Sequence, residues 1–210
     1  MGRRERNYAE IDQRLWDAGR ALAVEFGISE VTVEMIAERA DVAAATFYSH
    51  FDSTELFWDQ LRDSADEWAF DMVRRAVTDG HPAHINLAKV VKASVDRATE
   101  APVIVLFMFS LNATVGEHFG PFDQLTASII AEGVDAGLFG AVRDPELAAV
   151  MYRNAMQVAV NSHLRKADSL VWKDMVYLGL QLLGTDRSDI TDAVSVAAGN
   201  DWEPNTEEVS

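Results

Sequence analysis

Apolar positions recur along this chain at intervals of three and four and almost nowhere alternate, which predicts helices throughout. Ile11, Leu15, Ala18, Leu22 and Phe26 mark one face of a first helix running from about Ala9 to a stop at Gly27. Val33, Ile36, Ala37 and Ala40 share the face of a short second helix that Thr32 is placed to cap. A turn at Asp41-Val42-Ala43, plugged by Val42, leads to a third helix in which Phe47 and Phe51 stand four apart and face inward. A fourth helix, capped by Asp52 or Ser53, carries Leu56, Leu61 and Trp68 to about Val77, where Asp79-Gly80-His81-Pro82 stops it.

The same period continues beyond that break. Leu87, Val90, Val91 and Val95 give a helix from Ile85 to about Thr99, and Pro102 restarts the chain. Residues 103–111 are apolar, β-branched and aromatic, so periodicity alone admits a buried strand. No other segment offers a strand to satisfy its backbone, and a helix buried on most sides is the consistent choice. Residues 122–138 form the next helix, ended by Gly137 and Gly140. Asp144-Pro145-Glu146 then supplies a cap followed by a first-turn proline, opening a helix over 145–166. Asp168 or Ser169 caps the last helix, 169–183, which Gly184 ends. Residues 185–210 turn polar and acidic and read as a mobile tail, with enough apolar residues over 190–198 for a helical turn or two. The fold class is all-α, with a domain over 1–53, a larger one over 54–184 entered through the helix 54–78, and the tail.

Composition narrows the function. The chain has no cysteine, which excludes disulfides and thiolate metal sites. Its basic start leads into mixed sequence rather than an apolar core, and its longest apolar run is too short for a bilayer, so a cytoplasmic protein with no membrane contact is expected. A net charge of −16 excludes nucleic-acid binding over the whole surface, because counterion release from phosphates requires Lys and Arg. Even the first sixty residues hold six Arg and no Lys against twelve acidic side chains. Their one basic cluster, Arg3, Arg4 and Arg6, is either an arm reaching phosphates or a solvated terminus. No paired carboxylates, activated nucleophile or phosphate loop occurs at usable spacing, so no enzyme and no cofactor is expected. His81 and His84 stand three apart, but without further ligands they make no metal site.

Two short helices hinged at 41–43 and closed by aromatics are the pattern of a DNA-binding helix-turn-helix, with the outer face of the second helix toward the major groove. Gly27, Thr32, Val33, Ile36, Ala37, Ala40, Val42, Thr46, Tyr48, His50 and Phe51 fall in the order found in the TetR family of transcriptional regulators, which the chain resembles over about residues 9–60. The resemblance implies a two-domain, all-helical homodimer: an N-terminal three-helix DNA-binding domain and a C-terminal helical domain for ligand binding and dimerisation. By motif position, Thr32, Tyr48 and His50 touch phosphates, while Ala43, Ala44, Ala45, Thr46 and Ser49 face base edges. Alanines can read only thymine methyls. The sequence departs from the family at Ala43, where a capping Ser or similar is usual, at Ala44, usually polar or basic, and at Thr54, usually Lys. These departures imply binding weaker and more sensitive to salt than a basic reader gives, or a larger share of shape readout.

Trp68, Met72, Phe107, Met108, Asn112, Phe119, Phe122, Met151, Tyr152 and Met156 supply aromatic, flexible and amide groups for a largely apolar effector pocket, beside the core-packing role each can fill alone. Asn154, Gln157 and Asn161 lie on one stripe that meets either a ligand or a second subunit. The broadly apolar last helix, with Ala148, Ala149, Ala155 and Ala159 before it, suits a four-helix interface between two copies through 145–166 and 169–183. The expected protein is a ligand-responsive transcriptional regulator, a repressor that binds a palindromic operator as a dimer and leaves it when an apolar effector binds. The alternative is a ligand- or partner-binding dimer of the same fold with weak or lost DNA binding.

Overall fold

A computed structural model describes residues 2–111, 120–166 and 171–199, and every regular element among them is helical. In chain order these are α1 (Arg3–Phe26), a 3-10 turn (Ile28–Glu30), α2 (Val33–Arg39), α3 (Ala44–His50), α4 (Thr54–Ala76), α5 (Ala83–Glu100), α6 (Pro102–Leu111), α7 (Pro121–Asp135), α8 (Pro145–Lys166), α9 (Val171–Leu182) and α10 (Arg187–Ala198). The apolar run after Pro102 is therefore a helix. Contacts divide the chain into two compact units, Met1–Asp66 with Ala101–Val115, and Glu67–Glu100 with Gly116–Ser210. None of the described helices is long and apolar enough to cross a membrane.

The first unit is closed by aromatic packing. Phe57, on the first turn of α4, lies 5.1 Å from Phe47 and 4.9 Å from Phe51 between ring centroids. Its ring also presses on Gly19 of α1, where an added Cβ would sit 2.6 Å from Phe57 Cζ. Leu15, Leu22, Ile36, Leu61 and Phe107 complete the buried cluster. Thr32 caps α2, its Oγ1 accepting from the Met35 amide at 3.3 Å, and Ser53 caps α4 by accepting from the Leu56 amide at 3.1 Å. Arg3, Arg4 and Arg6 belong to the opening of α1 and not to an extended arm; the Gly2 amide donates to Glu5 Oε2 at 2.7 Å and closes that first turn.

The helix-turn-helix bend has its own chemistry. Asp41 takes φ +53°, and beyond it the Val42 amide reaches back to the Ala37 carbonyl while the Asp41 amide bonds Glu38, a pair of bonds that ends a helix in a left-handed residue. Glycine is the usual occupant; aspartate tolerates the conformation better than most side chains. Arg14 of α1 donates to the Ala40 carbonyl and, at 2.8 Å, to that of Asp41, placing a cation where α2 exposes its last carbonyls.

In the second unit α5 packs against α7, α8, α9 and α10, and α8 lies between α7 and α9. Asp144 caps α8 as its sequence predicts, accepting from the amides of Glu146 and Leu147 at 3.1 Å. A buried ion pair, Arg153 to Asp123 at 3.0 Å, joins α8 to α7. The stretch read as a mobile tail is a structured helix as far as Ala198: α10 buries Ile190, Ala193 and Val194 against α5 and α9. A three-and-four spacing was present there, but the acidic composition around it outweighed so short a signal. Leu147, Met151 and Val158 on α8 and Leu178 and Leu182 on α9 face outward.

Candidate functional site

The sequence-predicted reader residues form one outward surface. Thr32, Ala43, Ala45, Tyr48 and Ser49 are exposed, with Ala44 and Thr46 half-buried between them. Phe47 and Phe51, fully buried beneath, hold α3 so that these positions face out. Tyr48 is 58% exposed, its ring edge-on to Phe47. Ser49 Oγ donates to the Thr46 carbonyl at 2.7 Å, which commits its proton and leaves its oxygen as an acceptor. Ala43 has the extended backbone of a capping residue but no side chain to cap with, so the N-terminus of α3 lacks a side-chain acceptor.

His50 turns inward, against α1. Its side chain is only 3% exposed, its Nδ1 lies 2.6 Å from Asp12 Oδ1, and its ring stacks on Tyr8 with centroids 3.9 Å apart. Tyr8 in turn donates its hydroxyl to the Ser49 carbonyl at 3.2 Å. Tyr8 and Asp12 escaped the sequence reading because they lie off the apolar stripe of α1; their only signal is a spacing of four on its polar side.

The arginines near the reader are committed elsewhere. Arg39 pairs with Glu25 at 2.6 Å, Arg14 with the α2 carbonyls and Asp41, and Arg20 with Asp17 at 2.9 Å. Burial pushes the Arg20 guanidinium below its ordinary pKa. The side chains of Arg3 and Arg4 lie outside the described residues. Helix α3 itself offers hydroxyls, an aromatic ring and methyls, with no Lys or Arg.

The predicted effector residues that are described are divided between the two units. Phe107 and Met108 belong to the apolar cluster of the first unit, because α6 packs along α1. Met72, Phe122, Tyr152 and Met156 are buried in the second unit, where Trp68 is half-buried with the Arg97 guanidinium 5.9 Å from its ring centroid. Met151 is 62% exposed, on the outer side of α8 with Leu147 and Val158. Asn112 and Phe119 lie outside the described residues. Tyr152 lies flat on α9, where a Cβ on Gly179 would come within 2.7 Å of its ring. Its hydroxyl is buried without a partner, and burial holds the phenol pKa well above its ordinary value. Asn154 spends its amide on the Val150 carbonyl at 2.8 Å. Among the described residues no cluster of three metal-ligating side chains occurs.

Residues 15–57 match the family model described as bacterial regulatory proteins, tetR family. The HTH-type transcriptional repressor KstR2 of Rhodococcus jostii (strain RHA1) is 27% identical over 155 residues, spanning 70% of this chain and 76% of that protein. Among solved structures, RolR in complex with resorcinol superposes with a TM-score of 0.64 at 19% identity, covering 91% of this chain and 96% of RolR. CprB from S. coelicolor A3(2) does so with a TM-score of 0.70 at 15% identity, over 91% and 96% of the two chains. At these identities the two structures establish a shared fold.

Proposed function

We propose that the chain is a TetR-family transcriptional regulator, a ligand-responsive repressor that binds a palindromic operator as a homodimer and is released by a small, mainly apolar effector. The observation that carries the reading is the outward surface of α3 with the Thr32-capped start of α2. Phe47 and Phe51 fix that surface from beneath, and Tyr48 and Thr32 present hydroxyls beside three alanines. Hydroxyls fit phosphate oxygens, and the alanine methyls fit thymine methyls.

The dimer reading is supported by the outward aliphatic row on α8 and α9, which a symmetric four-helix contact would cover. The effector reading is supported by Tyr152, whose phenol is buried in the second unit with no hydrogen-bond partner, and by Met156 and Phe122, buried in the same unit. RolR, a protein of the same fold, carries resorcinol in its complex. An effector with one acceptor or donor on a mainly apolar body suits that phenol. It acts as an inducer only if it binds the released conformation more tightly, and α4, whose residues are divided between the two units, is one covalent link through which the preference would pass.

With Arg14, Arg20 and Arg39 holding internal partners, the salt dependence of binding should be set by the arginines at the start of α1, and log affinity should fall with log salt less steeply than for a reader with basic side chains on its recognition helix. Titrating the duplex upstream of the chain's own coding region tests the function. Sequence-specific binding is expected, and Tyr48→Ala should weaken it at least about tenfold without altering the dimer. Absence of specific binding at low salt would favour the alternative, a ligand- or partner-binding dimer, to which the committed arginines also point.

A further inference from the structure

We propose that Tyr8, Asp12 and His50 form a clamp that sets α3 on α1, so that the acidic residue Asp12 is required for tight operator binding. The proposal rests on the DNA-binding reading above and adds to it three positioning residues, two of them outside the helix-turn-helix.

Helix α3 has seven residues, too few to hold an orientation by its own hydrogen bonds. Its first turn has no capping side chain, because Ala43 stands at that position. Its far end is held three times: the Tyr8 hydroxyl donates to the Ser49 carbonyl, the Tyr8 ring stacks on His50, and Asp12 meets His50 Nδ1 at 2.6 Å. The Ser49 carbonyl is one of the terminal acceptors that the helix itself leaves unpaired.

The chemistry of the contact places a proton. An ionised carboxylate only accepts, so Nδ1 of His50 carries a hydrogen. The side chain is 3% exposed, which keeps the rest of the ring from a phosphate. His50 therefore acts on DNA through the placement of Tyr48 and Ser49, its neighbours on α3, rather than by touching a phosphate.

The test turns on a sign. Removing a carboxylate near DNA by electrostatics alone tightens binding, whereas removing a positioning carboxylate weakens specific binding and spares the nonspecific kind. A duplex is first selected from a random pool with the unsubstituted full chain, then titrated with Asp12→Ala and Asp12→Asn. Asp12→Ala should lose about tenfold or more in operator affinity, as loss of a charge-assisted hydrogen bond implies, with equal or tighter binding to a scrambled duplex. Asp12→Asn keeps an acceptor for Nδ1–H and should recover most of the loss. Operator binding by Asp12→Ala as tight as the parent's, or tighter, overturns the proposal.

Ring nitrogen NMR of the unsubstituted chain gives a readout that needs neither DNA nor a folded variant. A proton on Nδ1 of His50 is expected, whether or not Nε2 also carries one, and a ring protonated at Nε2 alone overturns the clamp. Failure of the unsubstituted chain to enrich any duplex overturns the DNA-binding reading, a result separate from a loss seen only in the variants.

Discussion

Two outward faces of this protein differ in what they can contribute to an assembly. The α3 face presents Ala43, Ala45, Ser49 and Tyr48, three small side chains and one ring. The α8–α9 face presents Leu147, Met151, Val158, Leu178 and Leu182, five large aliphatic groups. Covering such side chains contributes on the order of 1.5–3 kcal/mol each, while an alanine methyl contributes well under half of that. The first face can carry information, since methyls and hydroxyls distinguish base steps and backbone positions, but it carries little energy. The second carries energy without sequence information. On the proposed function, a weak reader of this kind would become useful when doubled, because the second half-site would then bind at the high effective concentration set by the first.

The largest expected effect comes from separating the two contributions. Leu178 and Leu182 are 63% and 75% exposed in the single chain, so Leu178→Glu with Leu182→Glu disturbs no packing within one subunit. Placed against their own copies, the four carboxylates would repel one another and bury charge. Sedimentation should show a folded monomer, and operator affinity should fall at least about a hundredfold as the avidity is lost. A variant that remains dimeric would place the interface elsewhere.

A smaller effect, on the inner side of the reader unit, measures how tightly the weak face is backed. Gly19 has no room for a methyl, since its Cβ would stand 2.6 and 2.8 Å from two atoms of a fully buried ring. Gly19→Ala should destabilise the first unit by about 1–3 kcal/mol despite the better helix propensity of alanine, read as a lower midpoint in urea. An unchanged midpoint would mean that Phe57 can move, and that α3 rests on a softer base than the ring contacts indicate.

The difference between the two faces also accounts for what was legible in the sequence. Buried positions announce themselves by period, so α1, α2, α3 and α8 could be placed from Leu15, Ile36, Phe47 and Asp144 with their caps and stops. Helix α6 was legible by elimination, since a strand there had no partner. The first turn of α1 was not, because its polar residues carry no period. Helix α10 was obscured for a related reason, its few apolar positions being set in acidic sequence. The site divides in the same way. The outward set Thr32, Ala43, Ala45, Tyr48 and Ser49 follows from position on two short helices, whereas the inward turn of His50 depends on Tyr8 and Asp12, about forty residues away in sequence. Phe107, Met108 and Met151 share their side-chain type with the other candidate effector residues, and type does not say which neighbour a helix meets.

The smallest effect tests whether the uncapped start of α3 contributes to the weakness of that face. Ala43 has φ −73° and ψ 147°, the backbone of a capping residue, and it is exposed, so a hydroxyl can be added without strain. In Ala43→Ser the new oxygen would accept from the Ala45 amide, and the chain should gain about 1 kcal/mol in urea unfolding. Because the added group is polar and sits at the edge of the reader, a modest rise in operator affinity should accompany it, well below the change from breaking the dimer. Added stability with unchanged affinity would mean that the clamp at the far end already fixes α3. Added affinity with unchanged stability would instead assign the hydroxyl to the DNA and leave the helix end as it was.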